Sequence, residues 1–208
     1  MSLAFPWLPG RRRASADPAA FAGFLARQGA YVAQKTVFDY CRVKAGRQER
    51  ALFADPAFLA ALHHCRWQTF HWTMLDMAAM AESWLRPHVP RGAEPALAAA
   101  LVPLHARALS LAGPPPEEER AAAEAARQAL PGHLAALQLA PPQPANRLRL
   151  LAEAPLLATL PIHPDRRRGE TPAIKGALRF LVVSAQQEME RRFAPGPLAA
   201  ALLHDRPP

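Results

Sequence analysis

The amino-acid sequence predicts an all-α protein, and three observations carry that expectation. Residues that enter helices at little entropic cost dominate, with 46 Ala and 28 Leu. Only 14 residues are β-branched (7 Val, 2 Ile and 5 Thr), too few to build a β-sandwich or a parallel sheet. The 23 prolines fall before helical patterns and in the connections between them, so they cut the 208 residues into helix-length pieces. The expected architecture is a single helical bundle of five to six main helices with proline-rich connections. Half of the chain is apolar, enough for one core. The helical domain is expected over residues 17–206, behind a basic and apolar N-terminal tail of residues 1–16.

The elements follow from caps and prolines. Asp17 before Pro18 is an N-cap with a first-turn proline, opening a helix that runs to about Val43, ahead of Gly46. Asp55-Pro56 repeats the signal and opens a second helix that reaches Arg86, where Pro87 ends it. This helix is apolar nearly all round. Leu59, Leu62, Arg66, Phe70, Thr73, Met77 and Met80 form one stripe, while Trp67, His71, Trp72 and Trp84 take the other faces. A helix of that kind belongs at the centre of a bundle. A third helix is expected over residues 94–111. Glu117, Glu118 and Glu119 then sit at the positive end of a fourth, which Pro131-Gly132 breaks or kinks. Two short helices, 145–153 and 155–160, follow the proline linker 141–144. Thr171-Pro172 opens a long helix reaching about Phe193, and residues 197–204 form the last.

The formal net charge of +8 comes from the two ends of the chain: +6 over residues 1–50 and +4 over residues 144–208, against −2 over residues 117–143. Such a bias favours anionic partners, whether lipid headgroups, nucleic acid or an acidic protein. The two cysteines, Cys41 and Cys65, make no disulfide framework, and the apolar start precedes its arginines, the reverse of a secretory signal. The expected compartment is the cytoplasm, with peripheral contact at the inner face of the membrane. The longest charge-free stretch, residues 128–146, carries Pro131, Pro141, Pro142 and Pro144, so no transmembrane segment is expected.

Three groups of residues invite a chemical reading. The first is the run from His63 to His71. His64 and His71 lie two turns, roughly 10 Å, apart along the helix. A zinc–nitrogen bond spans only about 2 Å, so the pair does not share an ion, and no metal or cofactor is expected. The second is a polar stripe on the first helix, Gln28, Lys35, Asp39 and Arg42, spaced for neighbouring turns. If it faces Arg66, the interior holds a charged pocket in which Asp39, Asp76 or Glu82 meets that arginine. The third is the loop 161–171, where His163 and Asp165 stand beside Arg166, Arg167 and Arg168 at the start of a helix. With Arg147 or Arg149 it forms an expected anion site.

Familiar catalytic signatures are missing. None of the five serines lies in a G-x-S-x-G elbow, no phosphate-binding glycine loop occurs, and no specific nucleic-acid motif is present. The leading functional expectation is therefore a non-enzymatic helical protein acting at the membrane surface or on a partner protein. Phe5, Trp7 and Leu8 would sit among headgroups while Arg11, Arg12 and Arg13 meet anionic lipid. The alternative is a bundle that holds a small apolar or amphiphilic molecule (a lipid, quinone or tetrapyrrole) beside Trp67, Trp72 and Trp84, with His71 and Arg66 as polar handles. A hydrolase-like enzyme using His163 and Asp165 ranks third.

Overall fold

The structure, a computed structural model, describes residues 14–204. These residues are all-helical, with α1 Pro18–Ala45, α2 Glu49–Leu52, α3 Pro56–Leu85, α4 Glu94–Ala112, α5 Arg120–Leu137, α6 Glu153–Thr159, α7 Thr171–Arg192 and α8 Pro195–His204. Seven of them span seven residues or more, above the expected five to six, because α6 and α8 are helices in their own right.

The caps act as the sequence predicts. The Asp17 carboxylate accepts from the Ala19 and Ala20 amides, and Asp55 accepts from Ala57, so each long helix begins with its free N–H groups satisfied. Gly46, at φ 51°, ends α1 in a conformation open to glycine. The central helix is α3. From Thr69 to Ser83 every residue except Trp72 is buried, and α1, α4, α5, α6, α7 and α8 all pack on it. Its closest neighbour is α1, and Gly29 permits the approach: a Cβ there would stand 2.3 Å from the Met74 sulfur. At the other end of α1, Phe21 and Phe24 meet Phe193 edge-on, which joins the start of α1 to the end of α7. Beside them Ser15 and Phe193 form an isolated bridge, with the Ser15 amide donating to the Arg192 carbonyl at 2.8 Å.

Two expectations are corrected. Helix α5 continues without a break through Pro131 and Gly132 to Leu137. The proline removes the hydrogen bond to the Arg127 carbonyl, but Arg127, Pro131 and Gly132 are all exposed, so water takes the freed group. Leu130 and Leu134, buried on the opposite side, keep the helix in register. Residues 145–152 are irregular where a helix was expected. Their backbone groups go to side chains instead. Asp76 of α3 accepts from the Leu151 and Ala152 amides, and Gln186 of α7 accepts from Ala145. Arg179 of α7 donates to the carbonyls of Ala145, Asn146 and Leu148. Partners supplied by two flanking helices outcompete the local helical ladder.

A second polar knot closes the far end of α3. Glu82 and Arg86 are an ion pair one turn apart at 2.9 Å, with side chains 0% and 8% exposed. Arg86 also donates to the carbonyls of Leu137 and Ala140, where α5 ends. Gln138 donates both to Glu82 and to the Glu94 carbonyl, so α3, α4 and α5 share one network. His105 of α4 is 3% exposed with neither ring nitrogen partnered, and burial pushes its pKa down to about 4.

Candidate functional site

The loop expected to bind an anion does not gather its arginines. His163, Asp165, Arg166 and Arg168 are all exposed on and beside a tight turn over Pro164–Arg167. Asp165 lies 2.8 Å from Arg168 and 3.5 Å from His163, so the carboxylate already occupies one arginine. Arg167 turns inward and donates to the Leu157 carbonyl. Consecutive side chains leave a turn in different directions, which disperses the three charges. Arg147 is exposed, and among the described residues no hydrogen bond or ion pair joins it to this loop. Glu170, at the start of α7, is held by Tyr40 and Lys44 of α1, at 2.7 and 2.6 Å. Those contacts fasten two helices.

The stripe on α1 also stands apart from Arg66. Lys35 pairs with Asp39 at 2.6 Å and Arg42 with Glu49 at 3.4 Å, all about half exposed. The expectation that Asp39, Asp76 or Glu82 meets Arg66 is overturned, since Asp76 takes backbone amides and Glu82 takes Arg86. Arg66 is half-buried and meets no carboxylate among the described residues. Its guanidinium lies over the Trp67 ring at 4.7 Å. Burial pulls its pKa down from the ordinary value, and its Nε has no protein partner. The tail residues Phe5, Trp7, Arg11, Arg12 and Arg13 lie outside the described residues.

What the fold does assemble centres on Trp67. Where α3 passes the end of α4 and the Gly113–Pro116 linker, a hollow of about 390 Å³ opens, lined by Trp67, Phe70, His71, Leu109, Pro114, Pro115 and Ala123. Sharing Trp67 and Phe70 with it is a small recess of about 40 Å³ that includes Arg66, Ala30, Ala33 and Ala112. The linker prolines hold the wall open, because three consecutive prolines resist folding back onto α3. His71 stacks on Trp67 with ring centroids 5.6 Å apart, and Phe70 meets the same indole edge-on. His71 is 4% exposed, and burial lowers its pKa, so its ring is neutral near pH 7.

On the other side of Trp67 is a more polar hollow of about 520 Å³, bounded by His63, His64, Pro116, Glu118 and Glu119. Glu119 is buried. Its carboxylate accepts from His64 Nδ1 at 2.6 Å and from Gln68 at 2.7 Å. With Nδ1–H committed to the carboxylate, the His64 lone pair is at Nε2. The lining offers no hydroxyl or thiol for a covalent step, so His64 can accept a proton or a hydrogen bond there. No group of three or more metal-ligating side chains is placed for an ion among the described residues.

No family model, curated protein or solved structure matches this chain. Sequence reading found Arg66, Trp67 and His71, which share one helix. It missed Glu119, whose run of three glutamates reads as an ordinary helix start, and whose partners His64 and Gln68 are 55 and 51 residues away.

Proposed function

We propose that this chain is a non-enzymatic binding protein, a single helical bundle around α3 whose groove at Trp67 takes a small molecule with an apolar body. One observation carries the reading. Trp67 and Phe70 form the wall of a 390 Å³ hollow whose other lining is mostly apolar (Leu109, Pro114, Pro115 and Ala123), with His71 and Ser110 as its polar side chains. That volume falls within the roughly 300–1,000 Å³ typical of pockets for small organic molecules. Apolar walls supply the affinity and a few polar groups at the margin set orientation, the division of labour expected of such pockets. The neutral fluorophore N-phenylnaphthylamine tests it. Saturable binding is expected, and Ala123→Trp, which fills the hollow from α5, is expected to weaken it at least about tenfold with the helical circular dichroism unchanged. Equal binding by the variant would remove the groove from consideration.

A second reading, contact with an anionic membrane surface, draws on the basic ends of the chain and on α4. That helix is long and apolar enough to cross a membrane by length and composition, with 33% of its window buried. Basic residues near such a surface contribute about 1 kcal/mol each, which gives reversible attachment. Co-sedimentation with anionic liposomes is expected to fall when residues 1–13 are deleted. Unchanged partition would leave that reading without support.

A further inference from the structure

We infer that the molecule bound in the Trp67 groove carries a carboxylate, and that Arg66 is the residue that receives it; this rests on the groove being the binding site proposed above. The first ground is the state of Arg66 beside the other inward-turned arginines. Arg86 has Glu82 and two carbonyls, Arg179 has Glu153 and three carbonyls, and Arg167 has the Leu157 carbonyl. Arg66 has no hydrogen-bonded partner among the described residues; its Nε is buried without one, as are those of Arg86 and Arg167, but unlike the other three it has no terminal N–H group engaged either. A buried, unpaired N–H is costly, and supplying an acceptor recovers that cost.

The second ground is the manner in which Arg66 is held. Its guanidinium lies over the Trp67 ring, and stacking uses the flat face of the cation. The in-plane N–H donors stay available, and their forked geometry matches two carboxylate oxygens. The recess at Arg66 is about 40 Å³, room for a small head group and no more, and it shares Trp67 and Phe70 with the apolar hollow. The two spaces are therefore neighbours at Trp67 and Phe70, and an apolar body in the larger one would bring its head near the cation. The third ground is charge. Among the described residues no acid lines either space and Arg66 is the one ionised side chain on their walls, which favours an anion. Glu118 and Glu119 line the neighbouring hollow that also touches Trp67.

The test is displacement of N-phenylnaphthylamine by decanoate, methyl decanoate and decanol, which share a chain and differ at the head. Wild type is expected to prefer decanoate by about tenfold or more, the worth of one charge-assisted pair. Arg66→Gln is expected to lose that preference while still binding the neutral fluorophore, which shows the groove intact, and Arg66→Lys is expected to keep part of it. Equal displacement by all three in wild type, or a preference unchanged in Arg66→Gln, overturns the carboxylate assignment and leaves the groove standing. Failure of wild type to bind the fluorophore or any of the three overturns both.

Discussion

Replacing Arg86 with alanine is expected to destabilise the protein by about 3–5 kcal/mol, the range for removing one partner of a buried ion pair. The loss has two sources. Glu82, with its side chain fully buried, keeps only Gln138 as a polar partner at 3.1 Å. The Ala140 carbonyl just beyond α5 loses its donor as well, and that of Leu137 keeps only the Ala140 amide at 3.3 Å. Urea unfolding followed by circular dichroism reads the change directly. The double variant Glu82→Leu/Arg86→Met is expected to recover much of the stability, because an apolar pair of similar volume carries no desolvation penalty. A single variant within 1 kcal/mol of wild type would show that the pair contributes little (the outcome usual for exposed pairs, at about 0–1 kcal/mol).

Asp76→Ala is expected to cost about 2–5 kcal/mol, since two amides, Leu151 and Ala152, lose their acceptor and each buried unsatisfied donor costs about 1–3 kcal/mol. Its pH dependence is more telling. Burial pushes the Asp76 pKa up from 3.8 to about 7. The stabilisation that results is fully present below 3.8 and is lost as pH rises to about 7, because the folded state holds the proton more tightly than the unfolded state. His105 acts with the opposite sign. Its pKa is lowered from 6.5 to about 4, so its stabilisation is present above 6.5 and is lost as pH falls toward 4. Across the window they share, the two slopes oppose each other in the wild type. Asp76→Asn therefore leaves the His105 slope uncompensated and steepens the loss of stability in acid, and its deficit against wild type narrows toward pH 7. His105→Phe does the reverse and gains in acid relative to wild type. Parallel curves for the three proteins between pH 4 and pH 7 would exclude both assignments.

Legibility followed the range of the interaction. Asp17-Pro18 and Asp55-Pro56 announce their helices because a cap and its amides lie within three residues. The burial of α3 was readable from an apolar surface on every side, as was the long helix after Thr171-Pro172. Residues 145–152 were not readable. Their competing partners, Asp76 and Arg179, are remote in sequence, and no local pattern reports them. Pro131 was misjudged for a related reason, since whether a proline breaks a helix depends on whether water reaches the freed carbonyl. At the site, Arg66, Trp67 and His71 were visible as an odd group on an apolar helix. The wall opposite them, Leu109 to Pro115, belongs to another helix and a linker, and only the tertiary arrangement brings it there. The loop 161–171 shows the converse. Adjacency in sequence puts His163, Asp165, Arg166 and Arg168 side by side; in the turn Asp165 stays with His163 and Arg168, while Arg167 turns inward.

The segment 145–152 also bears on the order in which the protein assembles. A helix can form from its own backbone, but this segment draws its main polar contacts from side chains of α3 and α7. The amides of Ala145, Leu151 and Ala152 and the carbonyls that meet Arg179 gain these partners only once both helices are in place, and one of those helices is synthesised after the segment. Closing the contact from Asp76 to Leu151 spans 75 residues, the kind of long-range link whose entropic cost must be met before it returns any energy. Residues 145–152 are thus a latch that fastens late. Once fastened, it is held from both sides, so its opening breaks bonds to α3 and to α7 together, and the protection of a stretch without regular structure depends on both helical neighbours.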